Sequence, residues 1–147
     1  MLLDSSRSAV YLTVLVLLVA TLSLVTSFIN RDFEIAYVAR HSDLAMPNQF
    51  TWVAFYAGNE GSLLFIALAL AAMSAVAVWL APAKVRGTLP YTIAILMVVL
   101  AFFLAVIGFM ANPFDKLPFI PADGEGINPL LTHLGMFFHP VSYTHLT

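Results

Sequence analysis

The chain contains no cysteine. Disulfides, thiolate metal sites and covalent haem attachment to this chain itself are therefore excluded. Charge is nearly as scarce: 10% of the 147 residues are charged, against roughly 25% in soluble domains. No basic run is present and the formal net charge is −2, which excludes a nucleic-acid partner. Gly-rich phosphate loops, a Ser/His/Asp set and a close pair of carboxylates are also absent. So few charges cannot coat a globule of this size, so a soluble enzyme and a disordered tail are excluded as well. What the chain has instead is hydrocarbon. Apolar residues make up 61% and mean hydropathy is +0.94; the class is an all-α integral membrane protein.

Gaps between charges mark the spans. Between Arg7 and Arg31 lie 23 uncharged residues, between Glu60 and Lys84 another 23, and between Arg86 and Asp115 28. Each gap exceeds the roughly 20 residues that a helix needs to cross a hydrocarbon core of about 30 Å. The first holds thirteen Val, Leu, Ile and Phe residues. At about −0.3 to −0.6 kcal/mol each near the bilayer centre, these outweigh its scattered Ser and Thr. Its apolar run is too long for a signal-peptide core and no A-x-A site follows, so it reads as an anchor that stays. Three transmembrane helices are predicted, over residues 8–29, 61–81 and 89–111, with structured outer loops at 30–60 and 112–140. Ala67, Ala71 and Ala75 recur four apart on the second; this is either a face for close helix packing or apolar filler. Three spans are few for a self-sufficient bundle, and a fragment of a larger multi-span bundle is expected.

Lys84 and Arg86 stand in the short link between the second and third spans with no acid beside them. The positive-inside rule puts that link, and the N-terminus with Arg7, in the cytoplasm. Loops 30–60 and 112–140 then face the periplasm of a Gram-negative cell. Trp52, Phe55 and Tyr56 precede the second span, where an interfacial aromatic belt is favoured over a ligand platform. A continuous helix from Phe50 to Leu80 would be about 46 Å long. That overshoots the bilayer, so a break is expected at Gly58-Asn59-Glu60-Gly61. Glu60 reads as a carboxylate in a first helical turn, favoured by the helix dipole; deep in the membrane it would instead mark a functional site.

His133, His139 and His145 are spaced six apart. Six residues of helix turn about 600°, which leaves neighbouring imidazoles about 120° apart. Pro140 also interrupts the run, so no metal cluster is expected. A single histidine at a membrane edge, His41 included, is ordinarily solvated or hydrogen-bonded; the alternative is axial ligation of haem iron.

Two stretches are more specific. One, FEIAYVARHSDLAMPNQFTWVAFYAGNEGSLLF, contains AYVA-x-HS followed by A-G-N-E-G-S-L-L at the opening of a span. The other, NPFDKLPFIPADGEGINPLLTHLGMFFHP, runs from NPF through P-A-D-G-x-G-x-N-P-L-L to HP. In this order they resemble the CcmF family of cytochrome c-type biogenesis proteins, with the related NrfE proteins similar, over about Ser8 to Pro140. The resemblance implies a haem lyase component of c-type cytochrome maturation in the bacterial inner membrane. Such a protein accepts haem from a haem chaperone and delivers it for thioether attachment to apocytochrome c, beside other maturation proteins. It further implies that His139, in the HP motif, is a haem iron ligand, and that His41, Glu60, Gly61, Asp123 and Asn128 are motif positions and further site candidates. A b-type haem is the implied cofactor, with its main Trp-rich binding segment outside this chain. Where the family continues HP with an apolar helix, this chain reads VSYTHLT. The expectation is therefore an N-terminal fragment with a non-native tail at 141–147, inactive as an enzyme by itself. A multi-span transporter or a scaffold subunit is the alternative.

Overall fold

A computed structural model of the chain describes residues 2–85 and 87–127. Its elements are helical: α1 (Leu2–Ile29), α2 (Ala36–His41), α3 (Thr51–Ala57), α4 (Asn59–Leu80) and α5 (Leu89–Phe109), with short 3-10 turns at Asn48–Phe50 and Ala83–Val85. No strand forms among the described residues; a single antiparallel bridge joins Ile35 and Lys116. Three helices are long and apolar enough to cross a membrane, at Ser5–Ile29, Asn59–Leu80 and Leu89–Phe109. The chain is thus a helical membrane protein. The helix at the start of the chain extends upstream of its charge-free window because the polar run Asp4-Ser5-Ser6-Arg7 continues the same turns.

The three long helices pack up, down and up. Val10 of α1 meets Val78 of α4 and Leu89 and Ile93 of α5 at one end. Leu17, Leu24, Ala67, Ala71 and Leu100 fill the middle, and Phe28 and Leu64 lie at the other end. Ala67 and Ala71 are fully buried. The alanine spacing is therefore a packing face: with no side chain beyond Cβ, it lets α4 approach its neighbours closely. Most large side chains elsewhere on these helices, such as Leu12, Val19, Ile95 and Val98, face outward.

Residues 30–58 and 110–127 fold together as a cap over the end where α1 and α5 finish and α4 begins. The cap carries Asp32, Glu34, Asp43, Asp115, Asp123 and Glu125 against Arg31, Arg40 and Lys116, and Glu60 opens α4 beside it. At the opposite end the ledger reverses: among the described residues Arg7 and Lys84 stand there against Asp4.

The helix break expected at Gly58 is present. Its backbone (φ −108°, ψ 172°) is extended between α3 and α4, and α4 restarts at Asn59. At the end of α1, Arg31 adopts a left-handed conformation (φ 54°). Its N–H bonds Phe28 O at 3.3 Å, and the Asp32 N–H bonds Ser27 O at 3.0 Å. This is a Schellman cap with arginine where glycine is usual. The guanidinium explains the choice: it donates to Phe28 O at 2.7 Å, to Met46 O and to Asn48 Oδ1 at 3.3 Å, tying the helix end to the loop above it.

Candidate functional site

Helix α2 lies across the ends of the long helices, and Tyr37 is its pivot. The ring is buried and stands edge-on to Phe28 in the last turn of α1, with centroids 5.6 Å apart. Its hydroxyl donates to Phe55 O at 2.8 Å and accepts the Gly58 N–H at 3.0 Å. One hydroxyl therefore joins the last turn of α3 to the first residue before α4. That satisfies two backbone groups which the helix break would otherwise leave unpaired. Burial pushes the Tyr37 hydroxyl up to about 12, the Gly58 N–H opposes that rise, and the Glu60 carboxylate adds to it.

His41, one turn further on, packs its ring 4.5 Å from that of Tyr37. Its Nδ1 lies 3.0 Å from Tyr37 O. A carbonyl only accepts, so Nδ1 carries the proton. The other ring edge rests on Gly58, where an added Cβ would come within 2.7 Å of Nε2. Gly61 is equally constrained: a Cβ there would fall on Phe55 O and within 2.6 Å of the Tyr37 hydroxyl. Glu60 is half-buried in the first turn of α4. That is the dipole-favoured position, at the end of the span and not its middle, and it gives a transport pathway no support.

The second motif stretch closes over α2 from the other side. Ala36 N–H donates to Asp115 O at 2.8 Å and Leu117 N–H to Glu34 O at 2.9 Å. The exposed Lys116 Nζ lies 2.7 Å from Glu34 Oε1. At the far end of α2, Glu125 N–H donates to Ala39 O at 2.7 Å and Gly126 N–H to Ser42 O at 3.2 Å. The Leu44 N–H donates to Asp123 Oδ1 at 2.9 Å. Gly124 sits so close to Ser42 O and Ala39 O that no Cβ fits between them. Gly126 is left-handed (φ 83°) with Asp43 beneath it. Ala39 O at the end of α2, which that helix cannot pair itself, and Ser42 O just past it are thus capped by the backbone of the Asp123–Gly126 turn. Val38 O takes the Ser42 hydroxyl.

Of the residues singled out in the sequence, His41, Glu60 and Gly61 come together around Tyr37, and Asp123 joins them through the end of α2. Asn128 and His139 lie outside the described residues, as do His133, His145 and the tail at 141–147. Sequence reasoning missed Tyr37 itself; a tyrosine embedded in the apolar segment of an otherwise polar loop was the available signal. It missed Gly124 as a contact residue too, since close backbone approach leaves no trace in local pattern. Among the described residues no group of three His, Asp or Glu converges as a metal site. His41 Nδ1 is engaged by Tyr37 O, and its Nε2 edge packs against Gly58. The assembly locks α2, the break at Gly58 and the Asp123–Gly126 turn together.

Fold and site together define a helical membrane protein with two extramembrane segments clasped into one cap. Over 114 residues, 77% of this chain, it is 37% identical to the probable cytochrome c-type biogenesis protein NrfE of Escherichia coli, covering 20% of that protein. It is 35% identical over 115 residues to the cytochrome c-type biogenesis protein CcmF of Pseudomonas fluorescens, with 78% of this chain and 17% of that one covered. Against CcmF of Escherichia coli, identity is 33% over 137 residues, 92% of this chain and 21% of the relative. The chain belongs to the CcmF/NrfE family of cytochrome c-type biogenesis proteins. It spans about a fifth of the length of the curated relatives it matches. No protein-family profile matches the chain, and no solved structure does.

Proposed function

We propose that this chain is the cap-bearing membrane portion of a protein that serves c-type cytochrome maturation, handling haem on the periplasmic side of a bacterial inner membrane. The observation that carries the reading is the clasp. The two stretches that resemble the family lie about 80 residues apart, yet their backbones pair across α2 at one end of the helices. The charge ledger supports the orientation: Arg7 and Lys84 stand at the end away from the cap, the pattern of a cytoplasmic face. In this reading the lock at Tyr37 and the turn at Asp123–Gly126 give the chain after Ile127 a rigid point of departure. His139, twelve residues on, is the proposed ligand to the iron of b-type haem passing from a haem chaperone to apocytochrome c, where other maturation proteins assist. Thioether attachment belongs to the whole protein and its partners.

The test is His139→Ala in the full-length protein, in cells that depend on it for c-type cytochromes. Covalent haem stain of the cytochromes and haem absorbance of the purified protein should both fall, with the protein's membrane level unchanged. Unchanged haem absorbance and cytochrome yield would remove the ligand assignment.

A further inference from the structure

We propose that the loop Leu117-Pro118-Phe119-Ile120-Pro121 is a membrane-contact tip that seats in the boundary between headgroups and acyl chains beside the helix ends. This goes beyond the haem reading and does not rest on it. The first observation is surplus chain. At the Ile35–Lys116 bridge the two segments run antiparallel, yet residues 125 and 126 meet the opposite end of α2. From Ala36 to Ser42 a helix rises only about 9 Å, whereas the eight steps from Leu117 to Glu125 could reach about 26 Å. The intervening residues must loop out.

What loops out is apolar. Phe119 and Ile120 are 69% and 68% exposed, while the charges stand outside the loop at Asp115, Lys116, Asp123 and Glu125. Prolines on both sides remove two backbone donors and stiffen the projection, which lowers the cost of placing an irregular segment at the edge of hydrocarbon.

Depth is the third observation. Helices α4 and α5, of 22 and 21 residues, are about 33 and 31 Å long, barely more than the hydrocarbon thickness of about 30 Å. Helix α1 is longer, but its Val10 already packs on Val78 near the far end of α4. The excess therefore lies away from the cap, and no spare helix lifts the cap off the bilayer. Tyr37 touches the last turn of α1 and the first of α4, so α2 and the segment clasped to it lie at headgroup level. The end of α5 is bare at this same level, with Phe109 90% and Met110 82% exposed. Phe at such a depth is an ordinary interfacial anchor. The flanking carboxylates disfavour an anionic surface, so a zwitterionic one is the occupant.

The absence of cysteine in this chain supplies the experiment. Nitroxide labels at Phe119→Cys and Ile120→Cys, with Ala45→Cys as an exposed cap reference, are read in protein reconstituted into phosphatidylcholine vesicles. Labels at 119 and 120 should collide severalfold more with oxygen than with a water-soluble nickel chelate, and the label at 45 should do the reverse. A ratio at 119 and 120 matching that at 45 overturns the proposal. Shielding from both agents overturns it as well, since that marks a protein cover. Should a cysteine variant fail to insert, Phe119→Trp in a Trp52→Phe, Trp79→Phe background gives a second reading. Quenching by brominated phosphatidylcholine supports the tip, and quenching by iodide alone rejects it.

Discussion

The long helices and the cap are held by different means. In α1 and α4 the described side-chain hydrogen bonds are largely local, as when Thr13, Thr26 and Ser74 donate to carbonyls four residues back. What joins these helices to one another is volume: Val10 to Val78, Ala67 and Ala71 beneath Leu17 and Leu24. In the cap the order is inverted. Its hydrogen bonds cross from residues 34–44 to residues 115–126, and its glycines sit where backbones touch. The membrane part is thus held by packing, and the cap by hydrogen bonds that cross between distant segments.

Glycine substitution should break this symmetry most sharply. Gly61→Ala places a methyl on Phe55 O and Gly124→Ala places one on Ser42 O, both backbone atoms that cannot turn aside. Each should destabilise the cap by about 3 kcal/mol or more, seen as early protease cleavage between residues 30 and 58 in detergent-solubilised protein. Gly108, inside α5, meets nothing within 4 Å. Gly108→Ala should be neutral or should stabilise by up to about 1 kcal/mol through helix propensity. Equal sensitivity at all three positions would erase the distinction between the two regions.

Next in size is Tyr37→Phe, which strands the Gly58 N–H and Phe55 O in a buried place at a cost of about 2 kcal/mol. The same residue sets an alkaline limit. Its hydroxyl is raised from 10.0 to about 12, so the unfolded chain loses the proton first. The cap keeps full stability below pH 10 and loses it as pH rises from 10 to about 12, on the order of 2 kcal/mol. Tyr37→Phe should flatten that slope, as measured by thermal unfolding across the window. Lys116, also raised, chiefly through its hydrogen bond to Glu34, has the same sign: its pairing is present below the ordinary lysine value and fades above it. The pair is exposed, so Lys116→Met should leave the Tyr37 slope standing.

The contrast also explains what could be read from sequence. Spans are written in single residues: Arg7, Arg31, Glu60 and Lys84 bracket them, and the bilayer supplies the ruler. The break at Gly58 was legible for the same reason, because an unbroken helix from Phe50 would be too long. The clasp was not. Glu34 and Lys116, or Ser42 and Gly126, belong to irregular segments with no period to register one against the other. Glu60, open to two readings in sequence, stands in the first turn of α4. His41 needed its partners, Tyr37 O and Gly58, before its ring could be called packed.

Arg31, at the seam between the two regions, offers the smallest and most informative change. A left-handed non-glycine residue costs about 1–2 kcal/mol, and hydrogen bonds from a charged donor return about 1.5–3 kcal/mol. Arg31→Ala keeps the strain and loses the hooks to Phe28 O, Met46 O and Asn48. Arg31→Gly loses the hooks but relieves the strain. The glycine variant should therefore unfold near the parent, and the alanine variant about 1 kcal/mol below the glycine one. Calorimetry of the two in the same detergent isolates the term. Identical midpoints would mean that α1 ends where it does for reasons internal to the helix, and that the cap merely rests on it. A gap of the expected size would mean that the cap, through one guanidinium, holds the helix end in a conformation its own residue disfavours.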